Sequence, residues 1–156
     1  MGSSQARMLF ESGDGRKKIQ KCAFEKIYAV FDRDHHSSYY DALRLAESFD
    51  GKLRNDIKQP VTFRAIASVP CFEVWLLLHF EDIQAPLHRD EAIRRLKLHI
   101  PDYEKGMGNS FEATKENLSI ASERAEKLAA RFNADTDPQP FTGIAELVNL
   151  LIALRK

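Results

Sequence analysis

The pattern of apolar and polar positions predicts strands alternating with helices in the first half of the chain. Residues 27–34 (IYAVFDRD) open with an apolar run rich in β-branched and aromatic side chains, which is typical of a strand buried on both faces in the middle of a parallel sheet. Residues 61–68 (VTFRAIAS) alternate between apolar and polar side chains and predict a second strand. We expect a helix between them over residues 39–49, preceded by a short strand and a short helix over residues 7–11 and 16–24.

The second half of the chain predicts helices only. Apolar residues at helical spacing indicate helices over residues 71–80, 89–99, 109–132 and 144–154. The first of these is apolar almost all round, so we expect it to be buried, and Pro70 suits its start. The third begins with Asn109 and Glu112, which are spaced like a capping pair. We therefore expect one α/β domain over residues 1–156, with a parallel-sheet core over about residues 6–80 and a helical portion over about residues 88–156.

Composition places the chain among ordinary globular domains. It has 156 residues, of which 44% are hydrophobic and 29% are charged, so it can bury a core. Lys plus Arg and Asp plus Glu both number 23, so only a local basic patch could favour nucleic acid. Cys22 and Cys71 are isolated, which is typical of reduced thiols in a cytoplasmic protein. The apolar run at residues 74–78 is too short to cross a bilayer, so we expect no membrane contact.

Two acids, Asp32 and Asp34, follow the apolar run of the first predicted strand. Residues two apart on a strand point to the same side, and ligands of open α/β sheets lie at the carboxyl ends of strands. A carboxylate pair at that place suits Mg²⁺, which prefers oxygen ligands. The competing interpretation is that these acids, with Ser37, cap the following turn or helix.

The apolar segment 71–80 contains two ionisable residues, Glu73 and His79. An acid in the first turn of a helix is favoured by the helix dipole, by ~0.3–1 kcal/mol. A carboxylate on so apolar a helix nevertheless needs a partner, and a metal shared with Asp32 and Asp34 would supply one. For His79 the alternatives are a hydrogen-bonded core histidine and a ligand or acid–base group.

A basic run lies on the predicted helix at residues 89–99. Arg89, Arg94, Arg95 and Lys97 could bind nucleic acid phosphates, which would make binding depend steeply on salt. The alternative is that these side chains form a solvated helix face.

Two segments together carry a resemblance to a known family. Residues 31–34 read FDRD at the end of the first predicted strand, and residues 68–80 read SVPCFEVWLLLHF. With both segments the chain resembles the RloB-like family, whose pattern combines a strand ending in an FDRD-type motif with a block written SNPCFExWxLxHF. Val69 stands where the family usually has Asn. Residues 103–105 (YEK) match a downstream Tyr-x-Lys element of the family.

That resemblance implies a Toprim-like, Rossmann-like fold. Toprim sites use a DxD pair plus a Glu from an earlier strand to hold Mg²⁺ or Mn²⁺ for phosphodiester chemistry, and Asp32 and Asp34 match the DxD. We see no match to the family's amino-terminal EGxxTE-like motif, so we expect a chain that lacks that segment. Glu11 is the other candidate for the earlier Glu. In the shortened chain, Glu73 or a partner subunit would complete the site.

Two functions are compatible with the resemblance, since RloB-like proteins occur in restriction or abortive-infection (phage-defence) loci, often beside an ATPase. The first is a metal-dependent nuclease acting on DNA or RNA. Its expected metal ligands are Asp32, Asp34 and Glu73, and its expected catalytic residues are Glu73, His79 and Lys105. The second is an inactive scaffold or regulatory subunit that docks to an ATPase partner. A homo-oligomer is compatible with both.

Overall fold

Two long strands place the FDRD and SVPCFE segments next to each other. The computed structural model describes residues 24–106, 108–134 and 140–154. In that part of the chain, strands β1 (Lys26–Asp32), β2 (Thr62–Val69) and β3 (Phe141–Thr142) form a sheet of order β1-β2-β3. The apolar and β-branched composition of the two long strands suits this pleated, partly buried arrangement.

The hydrogen bonds between β1 and β2 advance in the same direction along both strands. The Thr62 amide donates to the Glu25 carbonyl at 3.0 Å near the start, and the Arg33 amide donates to the Ser68 carbonyl at 3.0 Å near the end. The two strands are therefore parallel. Strand β3 is antiparallel to β2 and pairs with its last two residues, Thr142 opposite Ser68 and Phe141 opposite Val69.

Six helices of four or more residues connect or follow the strands in the described part of the chain. They are α1 (Tyr39–Phe49), α2 (Glu73–Leu78), α3 (Arg89–His99), α4 (Ser110–Thr114), α5 (Leu118–Ala129) and α6 (Ile144–Ala153). A 3₁₀ turn over Lys115–Asn117 separates α4 from α5. Among these described helices, every one is too short or too polar to span a bilayer.

The described residues fall into two compact units. The first contains residues 24–31 and 36–66, with the first part of both long strands and helix α1. Its core is Ala29, Ala46 and Phe63, against which the partly buried apolar residues pack. Phe49 and Phe63 contribute an aromatic pair with ring centroids 5.5 Å apart. The alternation of β2 and the helical spacing of α1 direct these side chains to one common core.

The second unit contains residues 32–35 and the described residues from 67 onward. Every residue of α2 is buried, Glu73 included, and the helix packs against α3 and α5. Strand β3 packs against α5, and a hydrogen bond of 3.0 Å joins the buried hydroxyls of Ser68 and Thr142. The near-complete apolarity of the α2 sequence is explained by this burial on all sides.

Most of the predicted elements are confirmed, and three details differ. Helices α1 and α3 have the predicted bounds, and α2 is shorter than predicted. The single helix predicted over residues 109–132 is interrupted, because the Thr114 hydroxyl bonds the Ser110 carbonyl at 2.7 Å and the backbone tightens into the 3₁₀ turn. Asn109 is the N-cap of α4, as predicted, but its side chain makes no capping hydrogen bond.

The mixed α/β class is confirmed, but the predicted position of the first strand is not supported by the described residues. There β2 lies in the middle of the sheet, β1 has β2 as its partner, and Val30 on β1 is 48% exposed. The strand and helix predicted over residues 7–11 and 16–24 lie almost wholly outside the described residues, as do Glu11 and Cys22. Strand β3 was not predicted, since two residues give no measurable alternation.

Candidate functional site

The acidic pair lies where β1 ends beside β2. Asp32 is the last residue of β1. The chain after it stays beside the end of β2, where the Asp34 amide donates to the Pro70 carbonyl at 2.9 Å. Asp34 has a φ of +41°, in the left-handed region that Asp tolerates better than most residues. The backbone of this corner is thus fixed by the neighbouring strand, which positions both carboxylates.

Both carboxylates approach one cation. The Lys105 Nζ lies 3.7 Å from Asp32 Oδ2 and 3.7 Å from Asp34 Oδ2. The two acids are mostly buried, whereas the Lys105 side chain is 52% exposed. At 3.7 Å these are ion pairs rather than direct hydrogen bonds, which end near 3.2 Å for N–H···O. A positive charge therefore already occupies the point on which the two acids converge.

Asp34 has a second cationic neighbour in Arg89, the first residue of α3. Arg89 Nε lies 3.3 Å from Asp34 Oδ1, yet both atoms are buried without a hydrogen bond. An ion pair at this distance but without hydrogen-bond geometry leaves the acceptor capacity of the carboxylate unused. The negative charge of Asp34 is thus compensated, but its carboxylate is not fully hydrogen-bonded.

Burial dominates the electrostatics of Asp32. Desolvation raises the pKa of the Asp32 carboxyl above its usual value of 3.8, as do the negative charges of Asp34 and Glu73. The backbone amide of Phe72 and the ammonium of Lys105 act in the opposite direction on this pKa. Asp32, Asp34 and Glu73 are therefore close enough for their charges to act on one another.

Glu73 is fully buried at the start of α2, with 0% of its surface exposed. The Tyr103 hydroxyl donates a hydrogen bond of 2.9 Å to Glu73 Oε1, while Oε2 has no hydrogen-bond partner. Burial, together with this hydrogen bond, raises the pKa of Tyr103. Burial and the adjacent Glu73 also raise the pKa of the Cys71 thiol, so that thiol stays protonated. An unfilled acceptor on a buried carboxylate is the kind of exception that needs an explanation.

An open pocket of about 590 Å³ lies beside these groups. Glu73, Tyr103 and Lys105 line it, together with aromatic side chains that include Phe72, Trp75 and Phe111. A smaller pocket of about 310 Å³ adjoins Asp34 on another side, and its lining includes Arg33, His35, His88 and Arg89. Glu73 thus borders the larger pocket and Asp34 the smaller one, and both pockets are large enough for a ligand.

His79 is turned toward its own helix. Its Nδ1 lies 3.0 Å from the Trp75 carbonyl and 3.2 Å from the Leu76 carbonyl, so this nitrogen carries the hydrogen and donates. The ring is buried, contacts the Trp75 ring edge-on at a centroid distance of 4.8 Å, and is not among the described residues that line the large pocket. Burial lowers the pKa of His79. These contacts match the core-histidine alternative, and a catalytic role for His79 stays a prediction.

The basic run of α3 is largely paired with acids. Arg94 donates to Glu91 at 2.6 Å, and Arg95 donates through Nε to Glu81 at 2.9 Å. Arg89 is held by Asp34. Of the four cations predicted to contact phosphates, three have an acidic neighbour in the described structure, so this helix face carries ion pairs as well as solvated charges.

The donor atoms of this site suit the Mg²⁺ that the resemblance implies. The donor atoms are carboxylate oxygens, the two Asp side chains converge on one positive charge, and Glu73 Oε2 is an unfilled buried acceptor. In the described part of the chain, no group of three or more His, Cys, Asp or Glu side chains lies close enough to hold a metal. Mg²⁺ is commonly held by one or two carboxylates, with water and substrate phosphates completing its shell. The pair Asp32 and Asp34 fits that arrangement.

Two contacts of this site have no signal in the local sequence. The Tyr-x-Lys match marks Tyr103 but not its partner, since the hydrogen bond to Glu73 spans 30 residues. The basic pattern of α3 suggests a phosphate contact for Arg89 and does not indicate its pairing with Asp34. A buried Glu signals that some donor must exist, but periodicity does not say which one.

The fold and the site define an α/β protein with a cluster of acids. Two of the acids lie at the end of a parallel strand with a lysine between them, and a third lies on the adjacent buried helix. The family model described as RloB-like protein matches residues 3–151. The chain therefore belongs to the RloB-like family. Comparison with curated proteins finds no match, and comparison with solved structures finds none either.

Proposed function

We propose that this protein is a metal-dependent nuclease-like enzyme of a phage-defence (abortive-infection or restriction-associated) system, with a Toprim-type site that hydrolyses phosphodiesters. The observation that carries the proposal is the convergence of Asp32 and Asp34 on one cation, beside a buried Glu73 that has an unfilled oxygen. Unfilled acceptors and shifted pKa values in a pocket are typical of functional sites.

Asp32 and Asp34 are the proposed ligands of Mg²⁺ or Mn²⁺. When bound there, such an ion supplies charge neutralisation at a phosphate and lowers the pKa of bound water. The raised pKa of Asp32 means that its ionised form is disfavoured by burial, and a divalent cation would favour that form. Glu73, fixed by Tyr103, is the proposed third acidic group that orients water or a ligand.

Lys105 has two proposed states. Without a ligand its ammonium pairs with both acids from 3.7 Å, and Arg89 adds a second positive charge beside Asp34. Its side chain is about half exposed, so it can rotate toward a phosphate oxygen that enters the pocket it lines. This exchange keeps the buried acids compensated before the ligand arrives.

The test is a cleavage assay with single-stranded and duplex DNA and RNA, in Mg²⁺, Mn²⁺ or EDTA. We expect cleavage that requires metal, and a loss of 100-fold or more in Asp32→Asn and in Asp34→Asn, about 2.7 kcal/mol of transition-state stabilisation. The matched control is Glu81→Gln, the same carboxylate-to-amide change at a residue that is salt-bridged to Arg95 of α3. This variant should keep activity within about twofold. Cleavage in EDTA, or full activity in both Asp variants, contradicts the proposal.

The contacts of Lys105 favour a second candidate function. Because an ammonium already compensates both acids, the site is also compatible with an inactive scaffold or regulatory subunit that docks to an ATPase partner. This alternative predicts no Mn²⁺ binding by calorimetry and co-purification with an ATPase. Metal-dependent cleavage that is lost in Asp34→Asn would exclude it.

A further inference from the structure

The large pocket that Glu73 lines has mostly apolar and aromatic walls. Phe72, Trp75, Tyr103 and Phe111 supply four aromatic rings to its lining, and Leu76 adds an apolar side chain. Lys105 is the cation of this pocket and is the same side chain that lies between Asp32 and Asp34. One end of the pocket therefore suits a phosphate, and the remainder suits a flat apolar group.

Phe111 is the residue that most strongly indicates a ligand-binding role for this pocket. It lies on the short helix α4 and is 66% exposed, although it borders a pocket rather than an open convex surface. Exposed aromatic rings beside a positive charge are the usual means by which proteins stack unpaired bases. Trp75, by contrast, is buried and forms a fixed wall.

The dimensions limit what the ligand can be. A volume of about 590 Å³ lies within the range of about 300–1,000 Å³ of small-ligand pockets. A nucleobase with its sugar is a ligand of this size. A base within a duplex reaches such a pocket only by flipping out of its stack, at a cost of a few kcal/mol that an unpaired base avoids. Of the hydroxyls in its described lining, those of Tyr103 and Thr114 already donate hydrogen bonds within the protein, which leaves little scope for base-specific hydrogen bonds.

We infer that this pocket binds the unpaired base of a nucleotide whose phosphate contacts Lys105, so that the protein acts on single-stranded nucleic acid with little preference for base identity. The inference rests on the proposed function, because the acids define where the phosphate lies. It adds the substrate class and assigns Phe111 as a base-stacking residue.

The test measures binding without catalysis, by titrating the protein in EDTA with short oligonucleotides. Trp75 is the single tryptophan of the chain and lines the pocket, so its fluorescence reports occupancy. The probes are a base-bearing strand, an abasic strand of equal length and charge, and a blunt hairpin duplex. We expect the base-bearing strand to quench Trp75 and to bind about tenfold more tightly than the abasic strand or the duplex.

Variants at Phe111 separate stacking from simple attraction to the phosphates. Phe111→Ala should weaken the base-bearing strand about tenfold and leave the abasic strand unchanged, while Phe111→Tyr should keep binding because it keeps the ring. The matched control is Leu98→Ala, an equally exposed apolar residue of α3 that is not among the described lining of the pocket. It should change nothing.

Equal affinity for base-bearing and abasic strands, tighter binding of the duplex, an unaffected Phe111→Ala variant, or no binding at all overturns the inference. Failure of the proposed function gives a different result. In that case base-dependent binding in EDTA persists, while metal-dependent cleavage is absent.

Discussion

The second unit contains two clusters of acidic and basic side chains, and they differ in how fully their acids are satisfied. At the first, Glu81 accepts from Arg95 Nε at 2.9 Å and contacts His99 Nε2 at 2.9 Å. At the second, the acid site, Lys105 stays 3.7 Å from both Asp32 and Asp34. The Glu81 cluster consists of direct hydrogen bonds, whereas the acid site has longer ion pairs and unfilled oxygens.

The pKa values follow this difference. Burial acts to raise the pKa of Glu81, but the hydrogen bonds from Arg95 and His99 outweigh it and leave the pKa lowered. Burial also acts to raise the pKa of Asp32, and there the opposing contacts are too weak to reverse it. A structural ion cluster satisfies its carboxylate, and a binding site retains capacity for a ligand. The comparison predicts that variants of the two clusters respond differently.

The largest expected stability effect is at the buried end of the acid site. Tyr103→Phe removes the hydrogen bond to Glu73 Oε1, and Oε2 has no partner to compensate. We expect the free energy of unfolding in urea to fall by about 1.5–3 kcal/mol, the usual effect for a hydrogen bond to a charged group. The control is the same change in a Glu73→Gln background, where the loss should shrink. Equal losses in both backgrounds would mean that Tyr103 stabilises by packing alone.

The next effect concerns competition between Lys105 and a metal. Lys105→Met removes the ammonium from the point on which both acids converge, so Mn²⁺ affinity measured by calorimetry should increase, by up to about tenfold. Cleavage should fall in the same variant if Lys105 contacts the phosphate. Lys127→Met, which breaks the exposed pair with Glu123, is the control and should leave affinity unchanged. Weaker Mn²⁺ binding in Lys105→Met would contradict the proposal that Lys105 and a metal compete for the two acids.

A smaller effect is expected at the Glu81 cluster. Glu81→Gln should lower the free energy of unfolding by about 0.5–1 kcal/mol in low salt, and less in 1 M salt, because the cluster is partly solvated. The salt dependence is the measurement that identifies it as electrostatic. A loss that is independent of salt would indicate a packing defect at Phe80, whose ring stacks on His99 with centroids 4.8 Å apart.

The smallest expected effect is on the pH dependence of stability, which should differ between variants of Glu81 and of Asp32. The lowered pKa of Glu81 contributes stability that is present above 4.5 and is lost as the pH falls through the folded pKa. The raised pKa of Asp32 has the opposite sign, since the folded state disfavours its charged form above the folded pKa and this penalty is gone below 3.8. In metal-free urea titrations, Glu81→Gln should therefore reduce the acid sensitivity of stability, and Asp32→Asn should raise stability near neutral pH. A fall in stability for Asp32→Asn without metal would show that its ion pair outweighs desolvation.

Several elements could be predicted from local pattern because their own residues determine them. The spacing of apolar residues in α1 and α3 defines one buried face each, whatever they pack against. The alternation in β2 was sufficient to predict a strand, although all of its residues from Ile66 to Val69 are buried. The two-residue strand β3 and the break at Thr114 carried too little periodic signal to be recognised. The candidate site was predictable in part, since Asp32, Asp34, Glu73 and Lys105 were all named from the sequence and its resemblance.

The sequence by itself determined the mixed α/β class, the family and the acids that end β1, since composition, periodicity and motifs are local properties of the chain. Tertiary structure alone decided which cation lies between those acids, which hydroxyl holds Glu73 and where His79 points. Lys105 is more than 70 positions from the acids it contacts. Contacts of that separation depend on how helices and strands pack, and packing is a property of the whole fold.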